Sequence, residues 1–205
     1  FTLLARLRQP APLCIMADVC RQLSRGELLE VDARFRLDLT EREYLAIIRD
    51  KTASLIAGCC RMGASLSGAS RASVRRLSAF GLNIGMAFQI VDDCLDLTGD
   101  PRRLGKSIYA DLDKGALSLP LIYLAESLSA RARRRFFRPL RERGSDPAFL
   151  ADVAKAAQAT GAIAKALERA RHFTVKAHAS MAQVSLNGLA PTYRALAHYI
   201  LTRKE

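Results

Sequence analysis

Three carboxylates lie close together in one short stretch of the sequence. Asp92, Asp93 and Asp96 fall within the segment QIVDDCLD, residues 89–96. In an α-helix Asp92 and Asp96 lie one turn apart on the same face, and Asp93 lies about 100° around the axis. Because like charges at this spacing repel one another, a buried helix of this kind needs a compensating cation. Oxygen ligands without His or Cys beside them are typical of a Mg²⁺ site.

The residues around the acidic trio indicate a buried helix followed by a phosphate-binding loop. Apolar side chains such as Phe88 flank the trio, and the stretch 98–115 changes to Gly, Pro, Asp and Lys. Lys106 and Lys114 supply positive charge there, which suits an anionic phosphate group. The alternative interpretation is an acidic helix end solvated at the surface. The apolar approach and the Gly-Lys turn favour the metal site.

Helices must position these residues. Apolar residues recur at three- and four-residue intervals, and no stretch alternates for long enough to predict a strand. Thr40 and Glu43 form a capping box, and Asp146 before a proline is a second start signal. The spacing predicts helices over 12–30, 41–66 and 71–95, another that begins at 147, and a last one that ends near 203. We expect a single all-α domain over residues 1–205.

Composition narrows the class of protein. Lys and Arg number 32 against 20 Asp and Glu, giving a net charge of +12. No apolar run approaches the ~18 residues that span a bilayer. Five cysteines lack a C-x-x-C spacing, so we expect reduced thiols in a cytoplasmic protein rather than a zinc site.

An arginine-rich run lies between two predicted helices. It contains Arg131, Arg133, Arg134, Arg135, Arg138, Arg141 and Arg143. Such a run can bind nucleic acid or an anionic membrane surface, or it can be a solvated helix face with Phe136 and Phe137 turned inward. No nucleic-acid motif accompanies it, so we interpret it as a solvated face. We expect no nucleic-acid partner and at most peripheral membrane contact.

Several segments together resemble the polyprenyl synthetases, the trans-isoprenyl diphosphate synthases. The segment GMAFQIVDDCLD (85–96) with LGK (104–106) is similar to the family's second aspartate-rich motif. KTASL (51–55) resembles its K-T-A-x-L segment, GELLE (26–30) its G-E-x-x-Q/E stretch, and LSLPLI (117–122) its T-L-P-L-I helix start. The resemblance covers the C-terminal two-thirds of such a protein, with the long-chain synthases closer in pattern than the farnesyl ones.

The resemblance implies an isoprenoid-synthase-type helical bundle around a central apolar cavity. Asp92, Asp93 and Asp96 are then ligands of Mg²⁺, and Asp92, Asp93 and Lys51 are the catalytic residues. The residues implied to bind the substrate diphosphate are Lys51, Thr52, Gln89 and Lys106, with Phe88 in the cavity wall.

The activity implied is the condensation of isopentenyl diphosphate with an allylic diphosphate to give an all-trans polyprenyl diphosphate. Mg²⁺ assists ionisation of the allylic substrate, apolar walls exclude water from the carbocation, and the family's members are usually homodimers.

Departures from the family pattern favour an alternative function. We expect the N-terminal helices and the first aspartate-rich motif upstream of Phe1, because these 205 residues contain no equivalent. Alone they should not catalyse the reaction. Ala116 replaces a common Lys, a place that Lys114 could fill, and Tyr109 replaces a common Gly. The alternative is a non-catalytic or regulatory helical subunit of a heteromeric synthase, against which the intact acidic trio argues.

Overall fold

All regular secondary structure in the described residues is helical, as the apolar periodicity predicts. The computed structural model describes residues 1–98, 109–142, 146–182, 184, 188 and 190–203. In chain order the elements are α1 (Thr2–Arg6), α2 (Pro10–Asp32), α3 (Glu41–Ile48), a π-helical segment (Arg49–Ala53), α4 (Ser54–Leu66), α5 (Arg71–Thr98), α6 (Ala110–Asp113), α7 (Leu119–Ser127), α8 (Ala130–Glu142), α9 (Pro147–Ala159), α10 (Ala162–Met181) and α11 (Ala190–Thr202).

Both predicted helix-start signals form. The amide of Glu43 donates to Thr40 Oγ1 at 3.3 Å, and the Thr40 amide donates back to Glu43 Oε2 at 2.9 Å. Asp146 accepts a hydrogen bond from the amide of Ala148 at 3.1 Å. These local contacts satisfy amides that have no partner within the first helical turn, so α3 and α9 begin where the sequence predicts.

The single helix predicted over 41–66 is wrong in one respect, because the π segment interrupts it. Within that segment Asp50 is fully buried and paired with Arg25 and Arg49. The side chains of the next two residues contact different helices. Lys51 donates to Glu30 of α2, and Thr52 donates to Gln89 of α5. A local π turn of this kind is often found at functional sites.

Helix α5 is the centre of the bundle and packs mainly against α4 and α10. Two close backbone approaches depend on glycine. A Cβ on Gly85 would lie 2.9 Å from Ala53 Cβ, and a Cβ on Gly26 would lie 2.7 Å from Lys51 Cα. The π segment is therefore held between α2 and α5 at distances that a larger residue would prevent.

The loop predicted over 98–115 lies mostly outside the described residues, and Lys106 lies there too. Its described part contains the short helix α6, which the sequence did not indicate. The amide of Tyr109 donates to the Asp96 carbonyl at 3.0 Å, and the amide of Asp111 donates to Asp96 Oδ2 at 3.4 Å. These bonds fold α6 back onto the end of α5. Within the described ranges, no helix combines the length and apolarity needed to cross a bilayer.

Candidate functional site

One cavity of about 270 Å³ gathers four of the residues that the sequence singled out for a site. Its polar lining includes Lys51, Gln89, Asp92 and Asp93, together with Glu30, Tyr44, Asp111 and Ser118. Its apolar lining consists of Ala33, Leu39, Ile47, Ile48, Ala116 and Leu117. A larger cavity of about 850 Å³, beside Cys14 and Arg61, contains none of the predicted site residues.

Asp93 is buried at the edge of this cavity, with both carboxylate oxygens engaged. Tyr44 Oη donates to Asp93 Oδ2 at 2.6 Å, and Gln89 Nε2 donates to Oδ1 at 2.8 Å. Burial raises the pKa of Asp93 to about 7, against the lowering effect of these two hydrogen bonds. Nearby Asp111 and Asp92 raise that pKa further. The carboxyl group is thus fixed in position and ionises near neutral pH.

Thr52 and Gln89 form a relay that leads to Asp93. Thr52 Oγ1 donates to Gln89 Oε1 at 2.7 Å, which leaves the amide nitrogen of Gln89 facing Asp93. The relay joins the π segment to α5 and fixes the orientation of the Gln89 side chain. Gln89 lines the cavity, whereas Thr52 is not among the lining residues.

Lys51 is the basic residue among those described that line the cavity. Its ammonium group donates to Glu30 Oε2 at 2.6 Å and lies 3.9 Å from Glu27 Oε1. Burial lowers the pKa of Lys51, but the hydrogen bond and charge of Glu30 outweigh it, so the pKa is raised overall. Lys51 therefore remains a cation throughout the neutral range.

Asp96 takes a different place from Asp92, although one helical turn separates them. Asp92 lines the cavity with its side chain 31% exposed. Asp96 is 2% exposed, accepts the Asp111 amide and is not among the lining residues. In the part of the chain that the structure describes, no three His, Cys, Asp or Glu side chains converge as a ready-made metal site. The first acidic side chain of α6, Asp111, lines the cavity instead.

Arg203 approaches the site from the other end of the chain. Its guanidinium lies 4.0 Å from the centroid of the Phe88 ring, and Nη2 donates to the Phe88 carbonyl at 3.1 Å. The same nitrogen is 3.5 Å from Asp92 Oδ1. Burial lowers the pKa of Arg203, against the charge of Asp92. Phe88, predicted in the cavity wall, is half-buried beneath this guanidinium and is not among the lining residues.

The structure locates the two departures, Tyr109 and Ala116, and also Lys114, which the sequence offered as a replacement for the missing Lys. Tyr109 has a φ of 67°, in the left-handed region that favours glycine, which fits the common Gly of the family at this place. Ala116 lines the cavity, whereas Lys114 is exposed and is not among its lining residues.

The donor set fits a divalent cation. Four carboxylates, those of Glu30, Asp92, Asp93 and Asp111, line the cavity against the one ammonium group of Lys51 among the described residues. Lys51 is paired with Glu30 and Arg203 lies 3.5 Å from Asp92, so among the described residues two positive groups face four carboxylates. Crowded carboxylates in a small, partly buried space are costly, and a bound cation offsets part of that cost. The ligands available are oxygens, which Mg²⁺ prefers.

Glu30, Asp111 and Arg203 are site residues that sequence reasoning missed. Glu30 belongs to the GELLE segment and Lys51 to the KTASL segment, and both segments resemble the family. That shared resemblance was the sequence signal that could have indicated Glu30 as a site residue. For Asp111 and Arg203 the sequence carried no comparable signal, because each reaches the site through a tertiary contact.

These features define a class of all-α proteins in which helix carboxylates and a lysine face a common cavity. The chain belongs to the polyprenyl synthetase family, whose model matches residues 1–158. Over 197 residues it is 34% identical to heptaprenyl diphosphate synthase component 2 of Geobacillus stearothermophilus. This alignment covers 96% of this chain and 60% of the relative.

Solved structures show the same fold. A polyprenyl synthase from Caulobacter crescentus, complexed with calcium and isoprenyl diphosphate, matches with a TM-score of 0.94 and 30% identity, over 100% of this chain and 62% of that chain. A decaprenyl diphosphate synthase from Rhodobacter capsulatus matches with a TM-score of 0.89 and 28% identity, over 100% and 63%. The family resemblance and the all-α fold class are confirmed, and the chain spans about 60% of the length of these relatives.

Proposed function

We propose that the whole protein is a prenyltransferase that condenses isopentenyl diphosphate with an allylic diphosphate to give an all-trans polyprenyl diphosphate. The observation that carries the proposal is the excess of carboxylates around Lys51 in one cavity, beside the motif that characterises the family. Such a cavity suits a metal-bound diphosphate, because neither an anion nor an apolar molecule alone would balance its charge.

Mg²⁺ is the proposed cofactor, with Asp92 and Asp93 as its ligands at the cavity. Asp96, the third ligand that the resemblance implies, does not line the cavity and is proposed to support the other two. Asp92 is the most accessible of the three, and Asp93 is held in place by Tyr44 and Gln89. Asp96 anchors α6 and so places Asp111 at the cavity. When bound, the metal supplies Lewis-acid stabilisation of the negative charge on a leaving diphosphate.

The remaining polar residues bind and orient the diphosphate. Lys51 has three N–H donors and spends one on Glu30, so the others are available to diphosphate oxygens. We propose that Gln89 and Thr52 contribute through their mutual hydrogen bond, and that Lys106 adds positive charge from the loop.

The reaction breaks the allylic C–O bond and one C–H bond of the isopentenyl unit, and it forms one C–C bond and a new double bond. The allylic C–O bond breaks, the isopentenyl double bond attacks the allylic carbon, and a proton leaves the new chain. Ile47, Ile48 and Leu117 lie on the apolar side of the cavity. They exclude water, which would otherwise convert the cation into an alcohol.

A homodimer in the cytoplasm is the proposed setting. Exposed apolar side chains recur on α1 and α2, where Leu3 is 75%, Leu28 71% and Val31 53% exposed. Such a surface suits burial against a second copy of the protein. The five cysteines are free thiols, as suits a reducing compartment. Light scattering should give twice the protomer mass, and Leu28→Gln should weaken that association.

A regulatory subunit of a heteromeric synthase is the second candidate. The Geobacillus relative is named as component 2 of a heptaprenyl diphosphate synthase, which supports a heteromeric partner more than a regulatory role. The resemblance implies a Lys where this chain has Ala116, and that departure favours the regulatory role. A catalytic subunit would convert substrates by itself or with a partner component. A regulatory subunit would convert no substrate unless a separate catalytic subunit were present.

Product chromatography tests the proposal. The whole protein, given isopentenyl diphosphate, farnesyl diphosphate and Mg²⁺, should yield elongated diphosphates. Asp92→Asn should lower turnover about 100- to 1,000-fold with the fold retained. The control is Asp152→Asn, which removes an exposed carboxylate on α9 and should leave turnover unchanged. Full activity of Asp92→Asn, or no product from the whole protein under any metal condition either alone or with a partner component, contradicts it.

A further inference from the structure

Helix α8 presents a stripe of arginines on one face. Its exposed arginines are Arg131, Arg134, Arg135 and Arg138, which we call the arginine stripe. Their spacing of three, four and seven residues places them within about 100° of one another around the helix axis. The stripe is therefore one continuous cationic surface rather than charge scattered around the helix.

The opposite face of α8 fixes the direction of the stripe. Phe137 is 1% exposed and Leu140 is 3% exposed, so both belong to the core. The Phe136 ring lies 5.1 Å from that of Phe137 and 6.4 Å from that of Phe149 on α9, centroid to centroid. Because its apolar side is already buried in protein, α8 cannot also insert that side into a bilayer. The arginines are held outward.

The surroundings of the stripe are also basic. The sequence has no Asp or Glu between Glu126 and Glu142. A groove of about 480 Å³ continues the surface, lined on α8 by Arg133, Arg134, Phe137 and Arg138. Its other side is Arg36, Leu37 and Asp38, where Arg36 is paired with Asp38 and Glu43, so the excess positive charge of the groove comes from α8. Like charges three and four residues apart, such as Arg131 with Arg134 and Arg135, repel one another, so an anionic partner would reduce that repulsion.

We propose that the arginine stripe docks the protein on the surface of an anionic phospholipid bilayer. Guanidinium groups bind phosphates in a planar, two-pronged geometry, and a row of them fits a row of lipid headgroups. No described aromatic side chain of α8 is exposed to stack on bases, since Phe136 is half-buried and Phe137 is buried, so the surface favours lipid over RNA. This choice of partner rests on the proposed function, because a polyprenyl diphosphate is an amphiphile that must enter a bilayer.

Vesicle sedimentation tests the docking without any substrate, so its outcome is independent of catalysis. Binding to vesicles of phosphatidylcholine with about one third phosphatidylglycerol should exceed binding to pure phosphatidylcholine at least tenfold. Replacing all four stripe arginines with glutamine should abolish that difference. Raising the salt from about 0.05 M to about 0.5 M should also abolish it, because adsorption through charge alone is screened.

A charge-matched variant is the control. It replaces four exposed arginines outside α8 with glutamine: Arg6, Arg61, Arg71 and Arg194. This variant has the same net charge as the stripe variant and should keep most of the vesicle binding.

If the stripe variant does not fold, the double variants R131Q/R135Q and R134Q/R138Q should each lose binding several-fold. Equal losses in the stripe and control variants overturn the proposal. Equal binding to both vesicles, or stripe-dependent binding to oligouridine that exceeds vesicle binding at equal phosphate concentration, also overturns it.

Discussion

Arg203 stacks on the Phe88 ring at 4.0 Å and donates to the Phe88 carbonyl, although 115 residues separate the two in sequence. Its side chain is only 8% exposed, and it also lies 3.5 Å from Asp92 Oδ1. The contact fastens the last helix to α5 beside the acidic cavity. It also places a fixed positive charge next to the carboxylate proposed as the main metal ligand.

Removing this guanidinium should loosen α11. Arg203→Ala loses the stacking and the hydrogen bond, so we expect a decrease of about 1–3 kcal/mol in the free energy of unfolding. Arg203→Lys keeps the charge without the planar stack and should fall in between. Hydrogen exchange should show faster exchange of α11 amides in Arg203→Ala. Arg194→Ala, an exposed change on the same helix, should stay within about 0.5 kcal/mol of the wild type. Equal protection of α11 in both variants contradicts this role.

The hydroxyl of Tyr44 should matter more at alkaline than at acidic pH. It donates to the buried Asp93 carboxylate, and this hydrogen bond lowers the pKa of Asp93 against the effect of burial. Because the bond favours the ionised form, Tyr44→Phe should cost about 1–3 kcal/mol above the pKa of about 7 and less below it. Urea unfolding in chelator at about pH 8 and about pH 5.5 measures the difference. Tyr199→Phe, at a side chain 59% exposed, is the control. An identical cost at both pH values is the contrary result.

Gly26 should tolerate no side chain, whereas Gly63 should. A Cβ at Gly26 meets the backbone of Lys51, so Gly26→Ala must push α2 away from the π segment, at a cost of about 1–3 kcal/mol. Gly63 lies inside α4 with nothing within 4 Å of a Cβ. Gly63→Ala should therefore stabilise the protein by about 0.5–1 kcal/mol. Thermal unfolding of the two variants should show shifts of opposite sign, and a neutral Gly26→Ala would refute the close approach.

Glu43 should make the fold sensitive to acid. The Thr40 amide, then the Arg36 guanidinium, hold the pKa of Glu43 at about 2, below its ordinary value of 4.5. Its ionised form therefore stabilises the fold above about pH 4.5, and this contribution is lost as the pH falls towards 2. Glu43→Gln keeps an acceptor for the Thr40 amide but cannot titrate. The stability gap between wild type and Glu43→Gln should shrink as the pH falls from about 5 to about 2. A gap that stays constant over this range argues against the shift.

Local patterns predicted the helices well because their causes are local. Thr40 and Asp146 each cap a helix through residues two or three positions away, so sequence spacing alone defines the contact. The π segment was not predicted, since it depends on the burial of Asp50 between Arg25 and Arg49 in the folded protein. Helix periodicity also predicted Asp92 and Asp96 on one face, but in the structure only Asp92 lines the cavity.

The site was predicted in part for the same reason. Lys51, Gln89 and Asp92 line the cavity as the sequence motifs suggested. The partner that holds Asp93 lies 49 residues away, at Tyr44, and no spacing rule connects the two. Asp111 lines the cavity and its amide binds Asp96, which is not among the lining residues, and no sequence spacing rule connects these two carboxylates. Asp111 therefore lines the cavity where the sequence predicted Asp96, and only the tertiary structure shows this.

Calorimetric titration with Mg²⁺ in the presence of inorganic diphosphate tests the central claim most directly. If the carboxylates beside Lys51 hold a metal-bound diphosphate, the protein should bind Mg²⁺ and diphosphate together, and Asp92→Asn should weaken that binding at least about tenfold. Asp113→Asn, which removes an exposed carboxylate of α6 outside the cavity, should bind like the wild type. Equal Mg²⁺ affinity in wild type and Asp92→Asn, or diphosphate binding that does not depend on the metal, would contradict the account.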